Sequence, residues 1–328
     1  MSHARPILIA ECCQNHNGDR DILQRMIHAA AEAGADHVKL QTIRSRELTR
    51  RERFEEGEVA DDGTTTAIKR PYGPELERLS NLDLSLEDEA WFIEECWRAG
   101  VAPMTTVFTR AAVPEVCDLG YEAIKIASYD CASYPLLRDV RRFWSRIYVS
   151  TGATHDEEIR KAAEILKGSN FSFLHCVTIY PTPMSELHLR RMAFLRRFTP
   201  NVGYSDHTKP ADTGLWASKI ALALGASCIE RHFTILEADQ SRDGPVSVTP
   251  SMLRELREFA DLSRSERMAR VREGYPSWGE TLGQARRPLS SDELLNRDYY
   301  RGRFASRVGE RWLYNWEEDE ETAAAPPI

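Results

Sequence analysis

The chain has 328 residues, enough for one large α/β domain with a modest appendage, since a single α/β barrel commonly takes about 250 residues. Its 51 acidic residues outnumber 43 Lys and Arg, and the resulting charge of -8 argues against a nucleic-acid partner, which favours a basic surface. No stretch approaches the roughly 20 apolar residues of a membrane span, and the polar start Met1-Ser2-His3-Ala4-Arg5 is not a signal peptide, so a cytoplasmic protein with no membrane partner is expected.

An apolar, β-branched run at 6–11 predicts the first strand. A helix over 22–33 follows, with Ile22, Leu23, Met26, Ile27, Ala30 and Ala33 on one face and Gly34 as its C-cap. The second strand is expected at 37–41. After it comes a charged connection, 44–84, containing Asp61-Asp62-Gly63. A connection of that length is either disordered or a functional lid, and because it leaves the carboxyl end of a strand, a lid is the expectation. Strands are expected next at 102–106, 123–127 and 147–150, then a helix at 156–167 before Gly168. Strands at 171–177 and 201–204, a helix at 213–224 before Gly225, and a strand at 227–230 complete the alternation. Eight strands separated by helices predict a (β/α)8 TIM barrel over residues 1–270. Residues 271–328 are expected to form a short irregular C-terminal extension, whose last dozen residues are too acidic and simple to order.

Seven cysteines are scattered from Cys12 to Cys228 with no pair of CxxC motifs, so no disulfide framework is expected. Cys176 and Cys228 fall in apolar strand-like runs and are expected to be buried reduced thiols. Cys12-Cys13 lies at a strand end, but no adjacent base is evident to make either thiol reactive.

Two histidines stand at the ends of neighbouring strands: His207 in Gly-Tyr-Ser-Asp-His-Thr (203–208) and His232 in Ile-Glu-Arg-His-Phe-Thr (229–234). Their separation is that of one β/α unit. The carboxyl ends of barrel strands converge on one mouth, so both imidazoles can reach a single metal ion.

Other polar residues cluster at the same strand ends. They are Glu11 and Asn15-His16-Asn17-Gly18, Lys39 and Gln41, Thr106, Lys125 with Ser128 and Asp130, Ser150-Thr151-Gly152, and the run His175, Thr178, Tyr180-Pro181-Thr182-Pro183. In order and spacing, over roughly residues 5–265, this set resembles the sialic acid synthase family, which condenses phosphoenolpyruvate with an amino sugar. The resemblance implies a phosphoenolpyruvate site made of Lys39, Thr106, Lys125, Ser128, Ser150, Thr178 and Ser205. A trianionic substrate needs such cations and hydroxyl donors. It also implies a divalent metal, Mn2+ or Mg2+, on His207 and His232, polarising the acceptor carbonyl. Glu11, Asp130, Tyr180 and Glu230 are the expected acid, base and positioning groups, Asp130 standing where the family commonly carries Glu. Gln41, Tyr180 and Asp243 are expected beside the acceptor. A homo-oligomer is the expected assembly.

The departures from the family fall on the acceptor side. Thr178 replaces the family's Asn, Val246 replaces an acceptor-binding Asp after Gly-Pro, and the loop 235–242 is about three residues longer. A C-terminal antifreeze-like domain is not recognisable, so closure of the site must come from 44–84, the aromatic tail, or another subunit. The expected activity is metal-dependent condensation of phosphoenolpyruvate with an aldehyde sugar to a 3-deoxy-2-ulosonic acid and phosphate. An aldolase acting on free pyruvate and a non-catalytic sugar- or protein-binding barrel are the alternatives. The phosphate-pocket residues weigh against the first, and the four residues His207, His232, Lys39 and Lys125 against the second.

Overall fold

The computed structural model describes residues 5–318. Eight parallel strands close into a barrel: β1 Ile7–Cys13, β2 His37–Thr42, β3 Ala102–Val107, β4 Ala123–Ile126, β5 Arg146–Ser150, β6 Asn170–His175, β7 Val202–Asp206 and β8 Cys228–His232. Each expected strand is present, and β8 pairs with β1 to close the ring. Among the described residues no helix is long and apolar enough to cross a membrane.

Alternation along each strand sorts the side chains. Leu8, Ala10, Val38, Leu40, Ile124, Ile126, Ile147, Val149, Phe173 and Ile229 point outward and are buried under the helices. Inward, a lower layer of Ile9, Met104, Ala123, Tyr148, Leu174 and Cys228 fills the barrel with apolar packing. One inward step higher come Glu11, Lys39, Thr106, Lys125, Ser150, Ser205 and Glu230, all buried. Gly203 faces inward below Ser205, where a Cβ would meet Cys228 Sγ at 2.3 Å and Leu174 Cδ2 at 2.7 Å. Only glycine fits the barrel there.

Strand register fixes which polar groups are neighbours. Glu11 pairs with Lys39 on one side and His232 on the other, Thr106 lies between Gln41 and Lys125, and Glu230 lies beside Ser205. Outside the barrel wall, Arg231 is buried against Asp206 at 2.7 Å and donates to the Thr208 and Val246 carbonyls, each at 3.1 Å. This ion pair anchors the chain beyond β8.

The first helix runs Arg20–Glu32, starting where Asp19 accepts from the Asp21 and Ile22 amides. The helix expected at 156–167 is Asp156–Ile165. The one expected at 213–224 is split into Pro210–Thr213 and Trp216–Ala223, because Gly214 turns the chain out of helical geometry at φ 57°.

Two expectations change more. The connection 44–84 is not bare loop: it holds Ser45–Glu47, Arg53–Glu56, a ribbon of Glu58–Val59 with Thr65–Ala67, and helix Tyr72–Ser80. The extension is not irregular either. Helix Arg264–Gly274 runs across the expected boundary at 270, buries Val271 and packs Arg267 on the Leu222 carbonyl, so the barrel's outer layer extends to 274. After it come helix Ser291–Tyr300 and a ribbon of Ser306–Val308 with Arg311–Leu313. The disorder expected for the last dozen residues falls almost wholly on 319–328, outside the described residues.

Connection and extension are fastened to each other. Thr49 donates to the Arg303 carbonyl at 2.9 Å, Leu48 bridges Phe304, and Arg51 donates to the carbonyls of Asp298, Tyr299 and Arg301. The extension also grips the barrel, through Arg297 on Glu158 at 2.6 Å and Asn296 on the Thr178 carbonyl at 2.8 Å. Together the two segments wall one side of the barrel mouth.

Candidate active site

The mouth holds a cavity of about 390 Å³ lined by residues of seven barrel strands, Cys176 just beyond β6, the 44–84 connection and the extension. Of the residues singled out from sequence, Glu11, Lys39, Gln41, Thr106, Lys125, Ser128, Ser150, Tyr180, Ser205, His207, Glu230, His232 and Asp243 all line it.

At its floor lie two lysines and two glutamates. Lys39 Nζ contacts Glu11, Thr106 Oγ1 at 2.9 Å and Glu230 Oε1 at 3.2 Å, which uses the three donors of an ammonium. Among the described residues Lys125 Nζ reaches only Glu230, at 2.8 Å to one oxygen and 3.2 Å to the other. The four charges balance, so an arriving anion meets a neutral but strongly polar floor. Burial alone would raise the Glu230 carboxyl, but Lys125 and Lys39 override it and hold the group well below the usual carboxylate range. Burial lowers the Lys39 ammonium, Glu230 opposes that, and Lys125 adds to it. The open valences on this floor are those of Lys125 and of Ser150, whose buried Oγ has no hydrogen-bond partner among the described residues. Ser128 Oγ accepts from the Gly152 amide at 3.2 Å beside them.

His207 and His232 meet at the edge of this floor with ring centroids 5.4 Å apart. Burial holds both imidazoles below their ordinary range, with the neighbouring His232 adding to the effect on His207. Both are therefore neutral and available as ligands. Tyr180, half-exposed, leans on His207 at 4.3 Å between centroids. Cys13 Sγ, a His232 nitrogen and an Asp243 oxygen lie within 4.8 Å of one another. Burial would raise the Asp243 carboxyl, but His232 and the Cys13 hydrogen bond hold it down.

The outer wall is cationic. Arg78, Arg242 and Arg303 converge on Glu75, at 3.0 Å for Arg78 and 3.5 Å for Arg242. Burial would raise Glu75; the three guanidiniums instead lower it to about 2. Arg70 lines the same wall and has no side-chain partner among the described residues. Tyr300 from the extension stacks on Tyr129 at 4.9 Å and 15°.

Two expected residues do not face the cavity. Asp130 sits in the turn Ser128–Asp130 with its carboxylate taken by Ser133 Oγ at 2.8 Å and Asn315 Nδ2 at 3.0 Å, so it fastens the extension to β4. Thr178 is fully buried behind the wall and receives Asn296 on its carbonyl. Sequence reading missed Cys13, Gln14, Arg70, Arg78, Arg242, Asn296, Tyr300 and Arg303. Cys13 stands at the strand end beside Glu11, but alternation alone does not place it in the cavity, because the register of β1 shifts between Glu11 and Cys13. The arginines and Tyr300 arrive through tertiary folding of segments with no periodic pattern.

Buried, mutually neutralising ionic groups at the carboxyl ends of eight parallel strands define the active site of a (β/α)8-barrel enzyme. A family model described as the NeuB family matches residues 26–268. The chain belongs to that family of sialic-acid-synthase-like enzymes and is itself a synthase. It is 32% identical over 266 residues to the N,N'-diacetyllegionaminic acid synthase of Campylobacter jejuni, covering 77% of this chain and 74% of that one. With the human N-acetylneuraminate-9-phosphate synthase it shares 27% identity over 281 residues, 82% of this chain and 72% of that one. The crystal structure of N-acetylneuraminic acid synthetase from Leptospira borgpetersenii serovar Hardjo-bovis, in complex with citrate, superposes with a TM-score of 0.66 at 26% identity, covering 90% of each chain.

Proposed function

We propose that the enzyme condenses phosphoenolpyruvate with an aldehyde sugar, giving a 3-deoxy-2-ulosonic acid and phosphate. The observation that carries this reading is the pair of donors on the cavity floor, Ser150 Oγ, which has no hydrogen-bond partner among the described residues, and Lys125 Nζ, which is paired with Glu230 and has donor capacity left for a substrate oxyanion. Thr106, Ser128 and Ser205 surround them with hydroxyls. Free pyruvate, with no phosphate, would leave part of this cradle unfilled.

In the reaction, carbon 3 of phosphoenolpyruvate bonds to the aldehyde carbon and the aldehyde oxygen takes up a proton. Water adds at carbon 2, and the bond from carbon 2 to the bridging oxygen breaks as phosphate leaves. A divalent cation held by His207 and His232 would supply Lewis-acid polarisation of the aldehyde. Glu230, kept ionised by two lysines, and Glu11, on Lys39, hold the two ammonium groups in place at the floor. Tyr180 closes over the histidines and helps exclude water. Asp130 acts at a distance, by holding the extension in place.

On the acceptor side four guanidiniums, of Arg70, Arg78, Arg242 and Arg303, face the two carboxylates of Glu75 and Asp243. That excess of positive charge favours an acceptor bearing an anionic substituent, a phosphate or carboxylate, over a neutral sugar. Incubation with phosphoenolpyruvate and paired neutral and phosphorylated aldoses tests both points. The expected product has the summed mass of the two substrates plus water minus phosphoric acid, formed faster from the anionic acceptor. Consumption of pyruvate in place of phosphoenolpyruvate would overturn the reading. Arg70→Ala should raise the acceptor KM about tenfold, the equivalent of roughly 1.4 kcal/mol, with the phosphoenolpyruvate KM unchanged. An equal rise in both KM values would remove Arg70 from the acceptor site.

A further inference from the structure

We propose that Cys13 and Asp243 are metal ligands in this enzyme, completing with His232 and the adjacent His207 a mixed sulfur, nitrogen and oxygen set. The inference rests on the reading of the histidine corner as a cation site and changes what that site is. Two histidines alone leave most of a coordination sphere to water and substrate; four protein ligands from three strand ends form a defined cage.

Three observations carry it. The donor atoms of Cys13, His232 and Asp243 lie within 4.8 Å of one another, with Cys13 Sγ 2.9 Å from Asp243 Oδ2. His232 Nδ1 is buried with no hydrogen-bond partner among the described residues, so one nitrogen of that ring is unsatisfied by protein. Finally, the lengthened loop that brings Asp243 is stapled to the end of β1. Ser241 donates to Asn15 at 2.8 Å, Asn15 donates to the Phe233 carbonyl and to Ser247 Oγ at 2.9 Å each, and Asn17 donates to the Gln240 carbonyl at 2.9 Å. The two asparagines beside Cys13 thus hold Asp243 against it. A bulge in β1 between Glu11 and Cys13, with Cys13 at φ 48°, turns the thiol into the same corner.

In the free protein the thiol donates to the carboxylate. A bound cation takes the place of that proton, which leaves to solvent, and the thiolate and carboxylate then face the metal together. A thiolate ligand shifts preference away from Mg2+ and toward Fe2+, Co2+ and Zn2+.

Cobalt titration of the full-length, metal-stripped protein tests this without any substrate. The wild type should show visible ligand-field bands together with a near-ultraviolet thiolate-to-cobalt charge-transfer band. Cys13→Ser should lose the charge-transfer band and bind Co2+ at least about 10- to 100-fold more weakly, since losing even an outer partner of a metal ligand costs that much. Asp243→Asn should keep the band and weaken binding. Cys176 is the necessary control, because its Sγ lies 3.7 Å from His207 Nδ1. A charge-transfer band that survives in Cys13→Ser and vanishes in Cys176→Ser overturns the proposal. Ligand-field bands without any charge transfer leave the histidine corner standing and exclude Cys13; no cobalt binding at all overturns the cation site itself.

Discussion

Lys125→Met should reduce condensation at least about 100- to 1,000-fold, the loss that follows removal of a donor to a developing or bound oxyanion. Its second effect is on stability. Lys125 is buried against Glu230 at 2.8 Å, and breaking a buried ion pair costs about 3–5 kcal/mol because a charge is left behind. Lys39, at 3.2 Å, retains part of the compensation, so the lower end of that range is expected. The double variant Lys125→Met with Glu230→Gln should recover most of the lost stability in urea unfolding and none of the activity. That separation assigns the lysine to the substrate and the glutamate to the lysine. A Lys125→Met protein that is as stable as wild type and still releases phosphate would contradict both assignments.

The same pair makes a prediction about pH. The Glu230 carboxyl is held far below its ordinary value of 4.5, so its contribution to stability is complete above that value and is lost as pH falls through the lowered folded value. The stability gap between wild type and Glu230→Gln should therefore narrow as the pH falls below 4.5.

His232→Ala should reduce turnover by about a thousandfold, or ~4 kcal/mol of transition-state stabilisation, which is within the several kcal/mol a Lewis acid supplies. His207→Ala should behave likewise. Neither change should unfold the protein: among the described residues His232 Nδ1 has no hydrogen-bond partner, and His207 Nδ1 has a weak one, Cys176 Sγ at 3.7 Å. Phosphoenolpyruvate affinity should change little in both, because Lys125 and Ser150 are left in place. Full turnover in either variant would remove the metal from the mechanism.

The barrel and its floor were legible in the sequence because both obey local rules. Strand runs alternate, and the inward position above each apolar layer is polar, so Glu11, Lys39, Thr106, Lys125 and Glu230 could be placed from pattern and family motif together. The acceptor wall was not legible. Glu75 gathers arginines from three separate segments, at positions 78, 242 and 303, and no local signal ties them together. Asp130 shows where motif position and cavity part. It matched a motif position, yet it does not line the cavity, and Asn315 of the extension and Ser133 both donate to its Oδ1. The extension itself seemed patternless because its order comes from docking on the 44–84 connection, through contacts such as Thr49 with Arg303 and Arg51 with the end of helix Ser291–Tyr300. Both segments contribute residues to the wall of the cavity at the barrel mouth.

Whether the cavity floor binds phosphoenolpyruvate is read most directly from the melting temperature of the metal-stripped enzyme with phosphoenolpyruvate, pyruvate and inorganic phosphate, with and without Mn2+. A ligand that binds the native state alone raises the melting temperature by mass action, about 2.7 kcal/mol at a hundredfold excess over Kd. The account predicts strong stabilisation by phosphoenolpyruvate, weak stabilisation by phosphate, none by pyruvate, and loss of the effect in Lys125→Met. Equal stabilisation by pyruvate, or none by phosphoenolpyruvate, would contradict it.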